Sequence, residues 1–207
     1  MGILLKIVEQ IALFCLNIIS SLGYFGVFFL MSLESMIFPI PSELVMPFAG
    51  FLVANGEMQL GGVVMFATLG SIFGSLLSYY IGKYGGNRFV FRYGKYFLLN
   101  EEHLKSTERW FSRKGEVTIF IGRFIPVVRH VISIPAGIGK MNLRRFIIYT
   151  IIGAGIWNLF LAYVGFLLGS NWTIIKQYFD YISWTIFGLI ILIGLYFLIR
   201  AIKRRRK

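Results

Sequence analysis

The sequence predicts an all-α integral membrane protein. It is read as an inverted repeat of a re-entrant helical hairpin plus a transmembrane helix, with extra N- and C-terminal spans. Three observations carry that reading. The 207 residues are 57% hydrophobic and 14% charged, against about 25% charged in soluble domains, and mean hydropathy is +0.74. Several apolar stretches reach the ~20 residues needed to cross a hydrocarbon core. Two more of similar length are broken by prolines and charges, which a plain span does not tolerate.

Taken in order, residues 1–22 are the N-terminal span. The apolar run Ile3 to Ser21 has the length of a signal sequence, but Lys6, Glu9 and Gln10 lie in its first turns and no small-x-small cleavage site follows. Repeat one covers 23–86, with a re-entrant hairpin at 26–54 and a span at 61–82. Pro39, Pro41 and Pro47 break this hairpin, and Glu34 and Glu43 charge it. Proline removes a backbone donor, and such backbone survives at membrane depth only where protein or water covers it. The chain therefore dips in and returns.

Residues 87–114 form a cytoplasmic amphipathic connector. Phe89, Tyr93, Tyr96 and Phe97 share one helical face while Arg88, Arg92 and Lys95 share another, as in a helix lying in the membrane interface. A solvated charged loop is the alternative. Asn100 with Glu101 and Glu102 reads as the N-cap and acidic first turn of a second short helix ending near Gly115. Repeat two covers 115–169, with a hairpin at 117–138 broken at Pro126 and Pro135 and charged by Arg123 and Arg129, then a span at 146–168. A C-terminal span at 178–199 and a basic tail at 200–207 complete the single membrane domain.

Lys and Arg in short loops set orientation. The connector, the turn Lys140 to Arg145 and the tail are basic, whereas Asn55 to Gln59 and Ser170 to Gln177 are poor in basic residues. With both hairpins re-entrant, this places the N- and C-termini in the cytoplasm, the first hairpin entering from outside and the second from inside. The net charge of +12 sits in loops and tail, which suits anionic lipid headgroups rather than nucleic acid. One cysteine, Cys15, and two histidines, His103 and His130, offer no disulfide framework and no metal-ligand spacing. No cofactor is expected.

The repeat shows in fixed offsets. Gly70, Leu76, Tyr80, Gly82 and Gly86 recur 83 positions later as Gly153, Leu159, Tyr163, Gly165 and Gly169. Gly26 and Glu34 recur as Gly115 and Arg123 at an offset of 89, and Ala49-Gly50 as Ala136-Gly137 at 87. Repeat one thus places an acid where repeat two places a base. Gly70, Gly74 and Ser78 at every fourth position fit a close helix crossing. Four isolated charges at the membrane centre would cost roughly 10 to 14 kcal/mol on the insertion scale. Hence Glu34, Glu43, Arg123 and Arg129 must pair, meet a ligand or line a wet cavity. Salt bridges Glu34–Arg123 and Glu43–Arg129 stapling the hairpins are the structural alternative to a working site.

The run Glu34-Ser-Met-Ile-Phe-Pro-Ile-Pro-Ser-Glu43, the stretch Gly70 to Gly86 with Tyr80-Ile81-Gly82-Lys83, and Gly122-Arg-Phe-Ile-Pro-Val-Val-Arg129 followed by Ala136-Gly137 resemble the DedA family of membrane proteins, of VTT type. The resemblance spans about Gly23 to Gly169. It implies a flippase-like fold with two facing re-entrant hairpins in the plasma membrane. It also implies transport of a phosphate-bearing lipid, undecaprenyl phosphate or a similar polyprenyl phosphate, coupled to the proton motive force. Phosphatidylethanolamine or another glycerophospholipid is the alternative cargo. Glu34 and Glu43 match the family's embedded acids and Arg123 and Arg129 its paired arginines. Many members carry an acid where this chain has Ser75, so no coupling role is expected there.

The side-chain chemistry fits. Arginine is always charged and offers a planar fork to phosphate, so Arg123 and Arg129 are the headgroup clamp. A carboxyl can take up a proton where arginine cannot, which makes Glu34 and Glu43 the proton carriers. Moving one negative charge inward costs about 2.3 kcal/mol per 100 mV, which co-transported protons offset. His130, beside the clamp, reads as structural or as a relay. A membrane lipid phosphatase would need a histidine nucleophile oriented by an acid and a second proton donor. The only aspartate is Asp180, past repeat two, so no enzyme is expected. A factor that merely thins the bilayer would not need the embedded charges.

Overall fold

A computed structural model describes residues 2–36, 40–97 and 101–169. Pro39, Asn100, the expected span 178–199 and the basic tail 200–207 lie outside them. The regular elements among the described residues are all helices: α1 (Gly2–Leu22), α2 (Tyr24–Glu34), α3 (Ser42–Ala54), α4 (Leu60–Phe97), α5 (Glu101–Gly122), α6 (Pro126–Val131), α7 (Ser133–Ile138) and α8 (Leu143–Leu168).

Local chemistry explains the breaks. Gly23 adopts φ 57°, the left-handed region glycine enters without a Cβ clash, and this separates α1 from α2. Pro41 is the extended N-cap of α3. Pro126 opens α6 at the first helical position, where its missing N–H would have had no partner anyway. Asn142 caps α8 by accepting from the Arg144 and Arg145 amides at 3.0 and 3.3 Å.

Of the other two prolines, Pro47 lies away from a break and Pro135 just after the one between α6 and α7. α3 runs through Pro47, which leaves the Glu43 carbonyl without its helical donor. Pro135 lies in the first turn of α7, again where no donor is needed. The connector also differs from expectation. α4, 38 residues long in all, about 57 Å at 1.5 Å per residue, runs unbroken into its first part as far as Phe97, although the apolar window ends at Gly85. α5 likewise does not stop near Gly115 but reaches Gly122.

Among the described residues, two helices are long and apolar enough to cross a membrane, over Leu60–Gly85 and Leu143–Leu168. α4 packs on α2, α7 and α8, and α3 packs chiefly on α8. Gly70 and Gly74 let α4 approach the Phe28 and Ser32 carbonyls of α2, the close crossing their spacing predicts. A Cβ at Gly50 would fall on the Ala162 carbonyl and Phe166 amide, and one at Gly137 on the Tyr79 carbonyl and Lys83 amide. Gly165 meets Pro47 and Gly82 meets Ile134 in the same manner. These contacts are one contact made twice, with 87 positions separating Gly50 from Gly137 and 83 separating Tyr79 from Ala162.

Polarity runs opposite to that of a soluble fold. Phe29, Phe73, Ile152 and Phe160 are exposed, while Glu34, Arg123 and Arg129 are buried beside Ser71, Ser75 and Ser78. An apolar outside suits a hydrocarbon solvent.

Candidate functional site

All four predicted charges are buried, and three meet where the short helices end. Glu34 is the last residue of α2, Arg123 follows the end of α5, and Arg129 lies on α6. The pairing is not the one the repeat offsets suggest. Arg129 Nε stands 2.9 Å from Glu34 Oε1, so the acid meets the second arginine, not Arg123. The two are an ion pair by distance but not aligned as donor and acceptor, and none of the Arg129 guanidinium nitrogens has a hydrogen-bond partner among the described residues. The Arg129 guanidinium also lies over the Trp157 ring, 5.5 Å from its centroid, a favourable cation–π placement.

Arg123 is held by neutral oxygen instead. Its Nη2 donates to Ser75 Oγ at 2.7 Å, to Ser133 Oγ at 3.3 Å and to Thr150 Oγ1 at 3.3 Å. Ser75 in turn donates to the Ser71 carbonyl, so one hydroxyl both caps its own helix turn and receives the guanidinium. Arg123 Nε and Nη1 keep no partner among the described residues.

His130 joins the acid. Its Nδ1 lies 3.0 Å from the Glu34 carbonyl oxygen and 3.4 Å from Oε1. A carbonyl only accepts, so Nδ1 carries the proton. Ser35 donates to Glu34 Oε2 at 3.2 Å, and Ser78 donates to the Ser35 carbonyl at 3.0 Å, tying this end of α2 to α4. Glu43 sits in the first turn of α3 and is buried, but Oε1 has no partner among the described residues. The Glu43–Arg129 bridge of the structural alternative does not form among the described residues.

Three contributors escaped the sequence reading, Ser133, Thr150 and Trp157, and so did the buried Asn158, which no described residue hydrogen-bonds. The last three share α8, where Thr150 and Asn158 are polar residues inside an apolar span. That anomaly was the available signal. No group of three metal-ligating side chains occurs among the described residues.

An all-helical membrane protein that buries charge at the ends of broken helices is the class these features define. The chain belongs to the VTT-domain family, that of DedA: residues 40–167 match the VTT domain. It is 36% identical to undecaprenyl phosphate transporter A of Bacillus subtilis, over 88% of this chain and 90% of that one. An alkaline phosphatase-like protein of Lactococcus lactis subsp. cremoris is 39% identical over 87% of this chain and 88% of its own. Protein DedA of Escherichia coli is 27% identical over 81% of this chain and 75% of its own. No solved structure matches. Two relatives, in Bacillus subtilis and Staphylococcus aureus, are thus named as transporters, and two in Lactococcus lactis as phosphatase-like.

Proposed function

We propose that this protein moves a phosphate-bearing lipid, foremost a polyprenyl phosphate such as undecaprenyl phosphate, between membrane leaflets. Arg123 and Arg129 take the headgroup, and Glu34 and Glu43 carry protons. One observation bears most of the weight: four guanidinium nitrogens, Arg123 Nε and Nη1 and Arg129 Nη1 and Nη2, are buried with neither a hydrogen-bond nor an ion-pair partner among the described residues. Buried charged donors are costly to leave unmet. A phosphate oxygen is the acceptor that the planar fork fits best. The transporter named in Bacillus subtilis supports the same substrate.

The architecture we infer is two re-entrant hairpins entering from opposite sides, with the termini cytoplasmic. α2 has 11 residues and α3 has 13, about 16 and 20 Å, short of the ~30 Å hydrocarbon core. The exchanged contacts of α3 on α8 and α7 on α4 support an inverted repeat, because each half supplies the other's packing surface. Such repeats rock about a central site. In that cycle an incoming phosphate competes with Glu34 for Arg129, and the released carboxyl takes up a proton.

The test is reconstitution into liposomes with a short-chain polyprenyl phosphate or phosphatidylethanolamine, reading headgroup exposure across leaflets and release of inorganic phosphate. Protein-dependent movement of the polyprenyl phosphate without phosphate release is expected. Movement of phosphatidylethanolamine alone would replace the cargo, and stoichiometric phosphate release would replace transport by hydrolysis.

A further inference from the structure

Asn158 is the one buried amide whose two ends both lack a hydrogen-bond partner among the described residues, at 0% exposure. Folds rarely keep such a group without a use. Its place on α8 points to that use. Thr150, Ala154, Asn158 and Leu161 recur at helical spacing along the buried stripe of that helix. Thr150 on this stripe holds Arg123, and Trp157, the residue before Asn158, lies over Arg129.

The repeat offset gives a second line. Asn158 stands 83 positions after Ser75, and α4 and α8 pack on one another. Both long helices therefore bury a neutral polar side chain at matching positions. That of α4 is engaged by Arg123 at 2.7 Å; that of α8 is engaged by no described residue.

We propose that Asn158 is a third ligand-binding side chain, which selects a phosphate monoester over a diester. This rests on the reading above that the cargo bears phosphate. An amide sets N–H donors beside a carbonyl acceptor, whereas arginine has no acceptor. A monoester carrying one proton presents the complement, a bare oxygen to accept from Nδ2 and a P–OH to donate to Oδ1. A diester, the linkage of phosphatidylethanolamine, has no P–OH to give. Asn158 thus separates a singly charged polyprenyl phosphate from bulk glycerophospholipid of equal phosphate charge, where the arginines, which respond to charge alone, do not.

The experiment is ligand-induced thermal stabilisation of the full chain in detergent at about pH 5, where monoester and diester each carry one negative charge, titrated with farnesyl phosphate, farnesyl methyl phosphate and inorganic phosphate. The wild type should bind the monoester about tenfold more tightly than the methyl diester, the scale of one hydrogen bond to a charged group. Asn158→Leu should bind the two alike and, without ligand, melt no earlier than the wild type, because an unmet amide is gone. Asn158→Ala is the second variant and should lose the same preference. A monoester preference that survives in either variant overturns the proposal, as does failure of both to fold, which would make Asn158 structural. A wild type that ignores farnesyl phosphate but binds inorganic phosphate refutes a lipid ligand. One that binds neither defeats the phosphate reading itself.

Discussion

Arg123 and Arg129 are equally buried, at 1% exposure each, yet opposite chemistry holds them. Arg123 rests on three hydroxyls drawn from α4, α7 and α8, whereas Arg129 faces the Glu34 carboxylate and the Trp157 ring. Hydroxyls orient a guanidinium without cancelling its charge. A carboxylate cancels it. In the proposed cycle Arg123 is accordingly the fixed receptor, whose charge is left for the ligand, and Arg129 the exchangeable one, whose counter-ion an anion displaces.

The sharpest way to break this contrast is Glu34→Gln. It strands a guanidinium that cannot shed its charge, so a loss of about 3 to 5 kcal/mol is expected, read as a lowered melting temperature in detergent. Arg129→Gln should cost less, because the stranded carboxyl can take up a proton. The double variant should regain stability but not transport, because half of the headgroup clamp is gone. If Glu34→Gln melts with the wild type, Arg129 is not held by charge.

Next in size is Arg123→Lys. Lysine keeps the charge and can still reach a hydroxyl, so stability should change little, but the fork is gone. Transport of a lipid phosphate should fall about tenfold or more, the scale of a lost charge-assisted hydrogen bond. Equal transport by the lysine variant would mean that no fork is used. Trimming the cage is milder still: Ser75→Ala or Thr150→Val should each cost about 1 kcal/mol in an unfolding titration. Losses near zero for both would leave the cage without energetic weight.

The four charges, the two long apolar helices and the Gly70–Gly74 crossing could be read from residue types and spacing alone. The pairing could not. Repeat offsets match Glu34 with Arg123, but packing α3 on α8 and α7 on α4 interleaves the halves, so the acid meets Arg129. Nor does a serine in an apolar helix announce its partner. Ser32 merely donates back to the Phe28 carbonyl at 2.7 Å, while Ser75 does the like and receives Arg123 as well. The length of α4 was hidden by its Gly85-Gly86 pair, which reads as an end, although a glycine inside a helix costs only about 1 kcal/mol.

The smallest effect isolates what burial contributes. Glu108 and Lys140 lie 3.0 Å apart, almost the Glu34–Arg129 separation of 2.9 Å, but their side chains are 46% and 59% exposed. Water already solvates both ends, so removing one charge strands nothing, and an exposed pair is worth at most about 1 kcal/mol. Glu108→Gln is the same chemical change as Glu34→Gln at nearly the same distance. It should shift stability by less than about 0.5 kcal/mol, and the shift should shrink further as salt rises. A Glu108→Gln loss as large as that of Glu34→Gln would show that distance, rather than desolvation, sets the strength of both pairs, and the distinction between a held arginine and a free one would fall with it.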